Sequence, residues 1–470
     1  VDSPVTDRSL RLFQAHEKIY PVSVKGKYRR LKWYAMMVLL AIYYATPWIR
    51  WDRGPHAPDQ AILIDMPSRR AYFFSIEIWP QEVYYLMGIL ILAAVGLFLA
   101  TALFGRVWCG YACPQTVWTD LFISVERFFQ GDRNQQMKRD KGAWTFDKIW
   151  RKTVTHILWI VIGLLTGGAW VFYFNDAPTL FTQITHLSVP LSVGGWVLAL
   201  TVSTYLMAGF AREQVCTYMC PYARFQSAMF DKNTLIIGYD EKRGEERGHH
   251  KKGASWENRG HCIDCTRCVQ VCPAGIDIRN GLQMECIACG LCVDACNEVM
   301  DKIDLPRGLI RYDSAQNLSV AAEQRKFKIV RPRTLYYVAI LAVVGGLMVL
   351  GLTTRAPLEV NILHDRNPLF VTLSDGKVRN GYMIKILNKT HDDRVYTLEA
   401  PDFSDASIVI HGTGDAVLKD MPVFSDSVGE YRVFMSAMPH TDKRIPFKFI
   451  VKDIKSGISA SGDAIFIGEN

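Results

Sequence analysis

The chain has no cysteine after Cys296, which excludes disulfides and thiolate metal sites from its last stretch. It has no Walker loop and no Rossmann fingerprint, which excludes a built-in nucleotide, nicotinamide or flavin site of those types. No CxxCH occurs, so covalent haem attachment is excluded too. Glycines such as Gly163–Gly168 and Gly345-Gly346 lie inside apolar runs, where small residues serve helix packing. Val1 to Lys32 lacks an early apolar core and a small-residue cleavage site, so no signal peptide is expected there. Residues 175–188 contain no Lys or Arg. Nucleic acid is not expected among the partners.

What is present is unevenly spread. The chain has 470 residues, a net charge of +8 and 49% hydrophobic residues, with long apolar runs alternating with basic stretches. Of the 12 cysteines, eight form one block. It reads Cys262-x2-Cys265-x2-Cys268-x3-Cys272-Pro273, then Cys286-x2-Cys289-x2-Cys292-x3-Cys296. Each half is the bacterial ferredoxin run for a four-iron cluster, in which the fourth Cys ligates the other cluster. This predicts one [4Fe–4S] cluster on Cys262, Cys265, Cys268 and Cys296, and a second on Cys286, Cys289, Cys292 and Cys272. Structural zinc also uses CxxC arms, but the doubled spacing and Pro273 favour iron and sulfide. Asn297 stands where a second Pro is expected, which removes no ligand. Cluster ligands must stay reduced, so this block is expected in the cytoplasm.

Apolar runs at Tyr34 to Ile49, Glu82 to Phe104, Val154 to Phe174, Val189 to Phe210 and Leu335 to Leu352 predict five transmembrane helices. The first is short, but Trp33, Trp48 and Trp51 flank it as interfacial anchors. The Lys/Arg-rich segments 1–32, 105–152 and 211–332 then share one side, cytoplasmic by the positive-inside rule. The expected organisation is a basic cytoplasmic N-terminus over 1–32 and four transmembrane helices with two CxxxCP repeats over 33–240. A two-cluster ferredoxin-like domain over 241–332, a fifth helix over 333–354 and a periplasmic domain over 355–470 complete it. In that last domain Ile384-Lys-Ile-Leu, Val395-Tyr-Thr-Leu and Phe447-Lys-Phe-Ile-Val read as strands of an immunoglobulin-like β-sandwich.

An internal repeat holds the other four cysteines. Phe104-Gly-Arg106 leads into Cys109-Gly-Tyr-Ala-Cys113-Pro114, and Phe210-Ala-Arg212 leads into Cys216-Thr-Tyr-Met-Cys220-Pro221. An aromatic, amphipathic stretch follows each, Val117–Phe129 and Phe225–Phe230. Proline favours the first turn of a helix, so Cys113 and Cys220 are expected at helix N-caps, where the dipole lowers a thiol's pKa. Cys109 and Cys216 are expected to fold back beside them. Such thiolates bind a soft metal such as Cu(I), close a redox disulfide, or join in a site of four thiolates; packing cysteines at helix ends are the plain alternative. Met219 is a further soft donor. Met435-x-x-Met438-x-His440 offers Cu(I)-like donors, His261 beside Cys262 reads as a solvent-facing side chain, and Arg243–Arg247 with His249–Lys252 reads as a solvated linker beside the membrane.

The combination resembles the CcoG family, also called FixG or RdxA, of cytochrome c oxidase accessory proteins. The matching stretches include Cys109-Gly-Tyr-Ala-Cys-Pro-Gln-Thr-Val-Trp-Thr-Asp120, Gly131-Asp-Arg-Asn134 and Glu213-Gln-Val-Cys-Thr-Tyr-Met-Cys-Pro-Tyr-Ala-Arg-Phe-Gln226. Val299-Met-Asp-Lys302 and Arg307-Gly-Leu-Ile-Arg-Tyr312 continue the match. The resemblance implies a bacterial inner-membrane protein that reduces Cu(II) to Cu(I) during maturation of the cbb3-type haem–copper oxidase. Its partners would be a soluble cytoplasmic electron donor, a copper transporter or chaperone, and oxidase assembly factors. Cys109, Cys113, Cys216 and Cys220 are then the candidate copper or redox thiols. A quinol-linked or other respiratory polyferredoxin subunit, and a non-redox assembly scaffold, remain the alternatives.

Overall fold

Helix α1 spans Lys27–Ala45, and a 3₁₀ turn over Thr46–Trp48 takes over from it. Lys27, Arg29, Arg30 and Lys32 crowd its opening turns, so the apolar run expected as a first span is the second part of a helix that begins among cations. These and all following descriptions refer to a computed structural model, which describes residues 18–250, 256–257, 259–318, 320, 326–411, 417–438 and 443–468. Strands β1 (Ile62–Asp65), β2 (Arg70–Phe73) and β3 (Ile76–Ile78) form a small antiparallel sheet, and Ile64 N donates to Tyr173 O at 2.8 Å.

The next helices are α2 (Val83–Phe104), α3 (Val107–Tyr111), α4 (Pro114–Gln130), α5 (Arg133–Lys141), α6 (Phe146–Val171), α7 (Ala177–Thr185) and α8 (Leu191–Leu206). Two π-helical segments, Met207–Ala211 and Val215–Met219, lead to α9 (Pro221–Met229). The cluster region pairs β4 (Leu235–Tyr239) antiparallel with β5 (Ile310–Ser314) around α10 (Glu241–Gly244), α11 (Arg267–Gln270) and α12 (Leu291–Lys302). Its first strand thus lies before residue 241. Helices α13 (Ala315–Leu318) and α14 (Pro332–Thr353) follow.

Among the described residues four helices are long and apolar enough to cross a membrane: Pro80–Phe104, Phe146–Val171, Leu191–Ala211 and Pro332–Thr353. Helix α1 is not one of them, because its cations shorten the apolar stretch. The apolar window of α6 is 39% buried and that of α14 not at all, which makes α6 the central helix of the set. Helices α6 and α8 approach closely because a Cβ at Gly167 would stand 2.9 Å from Val197 O. Phe122 of α4 stacks on Trp159 of α6, with ring centroids 5.2 Å apart.

The chain separates into two units, one from residues up to Ile49 plus Ile62–Leu347, the other from Arg50–Ala61 plus Met348 onward. The second unit is a sandwich of β6 (Leu358–His364), β7 (Val371–Thr372), β8 (Val378–Asn388), β9 (Arg394–Glu399), β10 (Ser407–His411), β11 (Val417–Leu418), β12 (Met421–Val423), β13 (Ser427–Ala437), β14 (Arg444–Asp453) and β15 (Ser459–Ile467). One sheet runs β11-β10-β13-β8-β6 with β7 beside β8; the other runs β12-β9-β14-β15. Alternate residues of β13 and β14 point inward, so Tyr431, Val433, Met435, Phe447, Phe449 and Val451 meet in the core.

Candidate metal centres

Two cavities lie in the cluster region. One is lined by Cys262, Cys265, Cys268 and Cys296 together with Tyr239 and Arg279. The other is lined by Cys272, Cys286, Cys289 and Cys292 together with Ile237 and Ile278. Cys268 touches both, so the cavities share a wall. Each gathers four thiols among mainly aliphatic side chains, a donor set and a dry setting that fit an iron–sulfur cluster. Burial pushes the thiols of Cys268 and Cys286 up to about 11 and those of Cys272 and Cys296 up to about 12, with neighbouring thiolates adding to it. Metal binding there must displace protons.

The two CxxxCP turns have matching backbones. Cys113 N donates to Trp108 O and Cys220 N to Val215 O, both at 2.8 Å and both five residues back. A helix then starts at Pro114 and at Pro221, and Cys113 is the N-cap of α4. The four thiols converge: Cys109 lies within electrostatic reach of Cys113 and Cys220, and Cys216 within reach of all three others. Burial pushes Cys109 up to about 11 and Cys216 up to about 12, and the neighbouring thiolates raise both further. These two cysteines precede the proline helices, so no dipole offsets burial.

Buried charges bolt these turns to the cluster region and to each other. Arg106 Nη1 donates to Met284 O and, at 3.3 Å, to Cys286 O, while Nη2 donates to Ala223 O at 2.6 Å. Tyr111 OH donates to Cys289 O at 3.0 Å, and a Cβ at Gly110 would stand 2.7 Å from Ile287 O. Arg212 Nη2 donates to Glu126 Oε2 at 2.9 Å, tying the second turn to α4. Gln115 Nε2 reaches Met207 O and Arg212 O at 2.8 and 3.1 Å. Arg29 Nη1 donates to both oxygens of Asp120, and Asp294 of α12 accepts from the backbone of Tyr28 and Arg29 at the start of α1. That carboxylate satisfies open N–H groups at a helix N-terminus.

Residues 211–315 match the family described as a 4Fe-4S dicluster domain, and residues 86–132 one described as a 4Fe-4S binding domain. Residues 348–469 match the immunoglobulin-like fold at the C-terminus of FixG. The chain is 48% identical to the nitrogen fixation protein FixG of Rhizobium meliloti over 457 residues, covering 90% of this chain and 87% of that protein. The chain belongs to the FixG family. RdxA and RdxB of Cereibacter sphaeroides are each 45% identical, over 92% and 99% of this chain and 92% and 99% of their own lengths. The FixG-family assignment makes this a membrane-associated iron–sulfur electron-transfer protein with an immunoglobulin-like C-terminal domain.

Several residues of this FixG-family chain stand elsewhere than the sequence implied. His261 is partly exposed, and its Nδ1 accepts from Arg243 Nε at 2.9 Å. In the run Arg243–Arg247 the side chains of Glu245, Glu246 and Arg247 are exposed, while its backbone is tied to the cysteine block: Cys262 N donates to Gly244 O, and Gly248 N, just after the run, to Cys262 O. Lys251, Lys252 and His440 lie outside the described residues. Met435 is wholly buried in the sandwich core while Met438 is 62% exposed, so the two do not share a copper site. Asn297 uses its side chain, accepting from Gly308 N at 3.0 Å. Sequence reasoning passed over Arg106 and Arg212 as functional residues, although their equivalent places in the repeat were a readable signal.

Proposed function

We propose that this FixG-family protein takes electrons from a soluble cytoplasmic donor and passes them to Cu(II) at the four-thiol centre, supplying Cu(I) for assembly of a cbb3-type oxidase. What supports this reading is the direct packing of the Cys109–Cys113 turn on the Ile287–Cys289 loop, through Arg106, Gly110 and Tyr111. Cys262, Cys265, Cys268 and Cys296 would hold one [4Fe–4S] cluster and Cys272, Cys286, Cys289 and Cys292 the other, each supplying a one-electron couple when bound. Cys265 is the exposed ligand and marks the edge where a donor docks. Ile237, Ile276 and Ile278 keep water from the inner cavity. A crevice beside Cys216 carries Glu213 and Glu285 and gives a cation an approach to the thiols. Thiolate surroundings favour Cu(I) over Cu(II), which pulls the electron toward copper. On this reading α1 with its 3₁₀ turn is a fifth crossing. The clusters are then cytoplasmic and the sandwich periplasmic, in a bacterial inner membrane, and a copper transporter or chaperone and oxidase assembly factors exchange copper with the chain.

The test is anaerobic reduction of the purified full-length protein, removal of reductant and titration with Cu(II). Cluster absorbance and a Cu(I)-specific chelator are read together. One Cu(I) should appear for each electron lost by the clusters. Protein with oxidised clusters is the control, since bare thiolates also reduce Cu(II) by forming a disulfide. Clusters that stay reduced in excess Cu(II), yet reoxidise with a quinone, would move the protein to the quinol-linked class.

A further inference from the structure

We propose that the cavity beside His156 binds the head group of a membrane quinone, in its quinone or its hydroquinone form. The binding does not rest on the copper reading. The last turns of α4, the first half of α6 and the π-helical Met207–Ala211 wall the cavity, and Lys18 and Ile19 line it from the N-terminal segment. Its volume is about 340 Å³. Sites for small molecules span roughly 300–1,000 Å³, so a single ring system fits. The π-helical segment carries Gly209 and Phe210 to the wall, and such segments recur at functional sites.

His156 is the deciding residue. Helix α6 is long and apolar enough to cross a membrane, and His156 stands inside it. An ionisable side chain within such a helix is costly and marks a ligand or proton site. Tyr205 OH lies 3.1 Å from His156 Nδ1. Among the described residues Nε2 has no hydrogen-bond partner, and the ring lines the cavity. The two tautomers suit the two forms of a quinone. When Tyr205 donates to Nδ1, Nε2 carries the proton and donates to a carbonyl oxygen. When Nδ1 donates to Tyr205, the bare Nε2 accepts from a hydroquinone hydroxyl. Phe210 is 51% exposed and lies 16° from parallel to the imidazole with centroids 6.0 Å apart, which adds a flat apolar wall.

The charges turn the cavity away from a phosphate. Lys18 Nζ lies 2.7 Å from Glu126 Oε1, Lys152 Nζ 2.7 Å from Asp140 Oδ1 and Arg212 Nη2 2.9 Å from Glu126 Oε2. Each of these cations already faces a carboxylate, and a lipid phosphate would have to break those pairs. An acyl chain makes no use of the polar Gln130 and His156 on the wall. A neutral, planar ring with oxygens at opposite edges suits both the polar and the apolar side. Quinones are bilayer-soluble molecules of that kind that serve electron-transfer proteins. Arg212 and Glu213 line this cavity and also the crevice bordered by Cys216, so an occupant lies next to that crevice.

The test uses full-length protein in detergent, purified without air, and a short-tailed ubiquinone carrying a photoreactive azide. About one label per chain is expected at saturation, mapped to the peptides that hold His156 or Phe210. The dissociation constant of the unlabelled quinone, read by competition, should rise about three- to tenfold in His156→Leu, the worth of one hydrogen bond. His156→Gln keeps a side chain that donates and accepts, and should bind nearly as wild type does. Equal iron–sulfur absorbance in the three proteins checks their fold, and the wild-type labelling map stands even where a variant does not accumulate. No copper enters the experiment, so its outcome is separate from that of the copper titration. Label scattered over α2 and α14, or equal affinity in His156→Leu, overturns the proposal. Displacement of the label by short-chain phosphatidylglycerol but not by unlabelled quinone assigns the cavity to a lipid head group and overturns it as well.

Discussion

Glu126→Gln keeps the shape of the side chain and removes one charge from the tie between the repeats. Glu126 Oε2 accepts from Arg212 Nη2 at 2.9 Å and Oε1 from Lys18 Nζ at 2.7 Å. The Glu126 and Arg212 side chains are 3% and 8% exposed, so water screens neither; Lys18 at 37% contributes little. Removing one partner of a buried pair costs about 3–5 kcal/mol, because the other charge stays buried without compensation. The amide can still accept from Arg212, so the lower end, about 3 kcal/mol, is expected. Glu126→Gln with Arg212→Gln leaves no bare charge and should recover about half of that loss. The assay is a double-mutant cycle of denaturant unfolding in detergent, read by loss of iron–sulfur absorbance. Burial alone would raise the Glu126 carboxyl, but Arg212 and Lys18 outweigh it and hold it below the usual range. A depressed carboxylate gives stability that is present above its unfolded pKa, near 4.3, and lost as pH falls through the lower folded value. The gap between wild type and Glu126→Gln should therefore close below about pH 4. Single and double variants that agree within about 0.5 kcal/mol would refute the reasoning.

Cys268→Ser and Cys272→Ser should each damage mainly a different cluster, so their EPR spectra of the reduced protein should lose different signals. Gly110→Ala places a Cβ 2.7 Å from Ile287 O and 3.0 Å from Ala288 O. It should keep both ferredoxin clusters yet slow Cu(II)-driven oxidation severalfold, measured by stopped flow. A reporter fused after Gly468 should behave as periplasmic and one inserted after His250 as cytoplasmic; the same side for both would remove α1 as a crossing.

The grouping of the eight cysteines around two cavities was legible because metal ligation fixes residue type and spacing together. The strands of the sandwich were legible because inward residues alternate, as Tyr431, Val433 and Met435 do. The start of the first helix was not legible, because a window of apolar residues does not report where a helix begins; α1 starts at Lys27, where Asp294, more than 260 residues away, receives its open N–H groups. The raised pKa values of Cys109 and Cys216 were not legible, because a proline after a cysteine announces a helix N-terminus while burial is set by chains that arrive from elsewhere. The Arg243–His261 hydrogen bond was not legible because charge in a sequence does not show its partner.

The repeat is also where sequence symmetry and structural role part. Arg106 and Arg212 hold equivalent places, both buried, and each turn closes with the same five-residue hydrogen bond. Their side chains nevertheless go to different tasks. Arg106 leaves its own copy for Met284 and Cys286 and fixes the first turn to the cluster region. Arg212 turns to Glu126 and fixes the second turn to the first. The first copy thus carries the hydrogen bonds to the cluster region, while the second borders that region at the crevice where Cys216 lies near Glu285 and Ile287. The helical path reflects this: the first cysteine of copy one sits on the short helix α3, that of copy two on the π-helical Val215–Met219. Such π segments recur at functional sites, where the wider turn re-aims a side chain. Here it belongs to the copy that must bend toward a partner already fixed in place. A variant that cuts the Arg106 contact should loosen the first turn from the cluster region, whereas one that cuts Arg212 should release the second turn from α4.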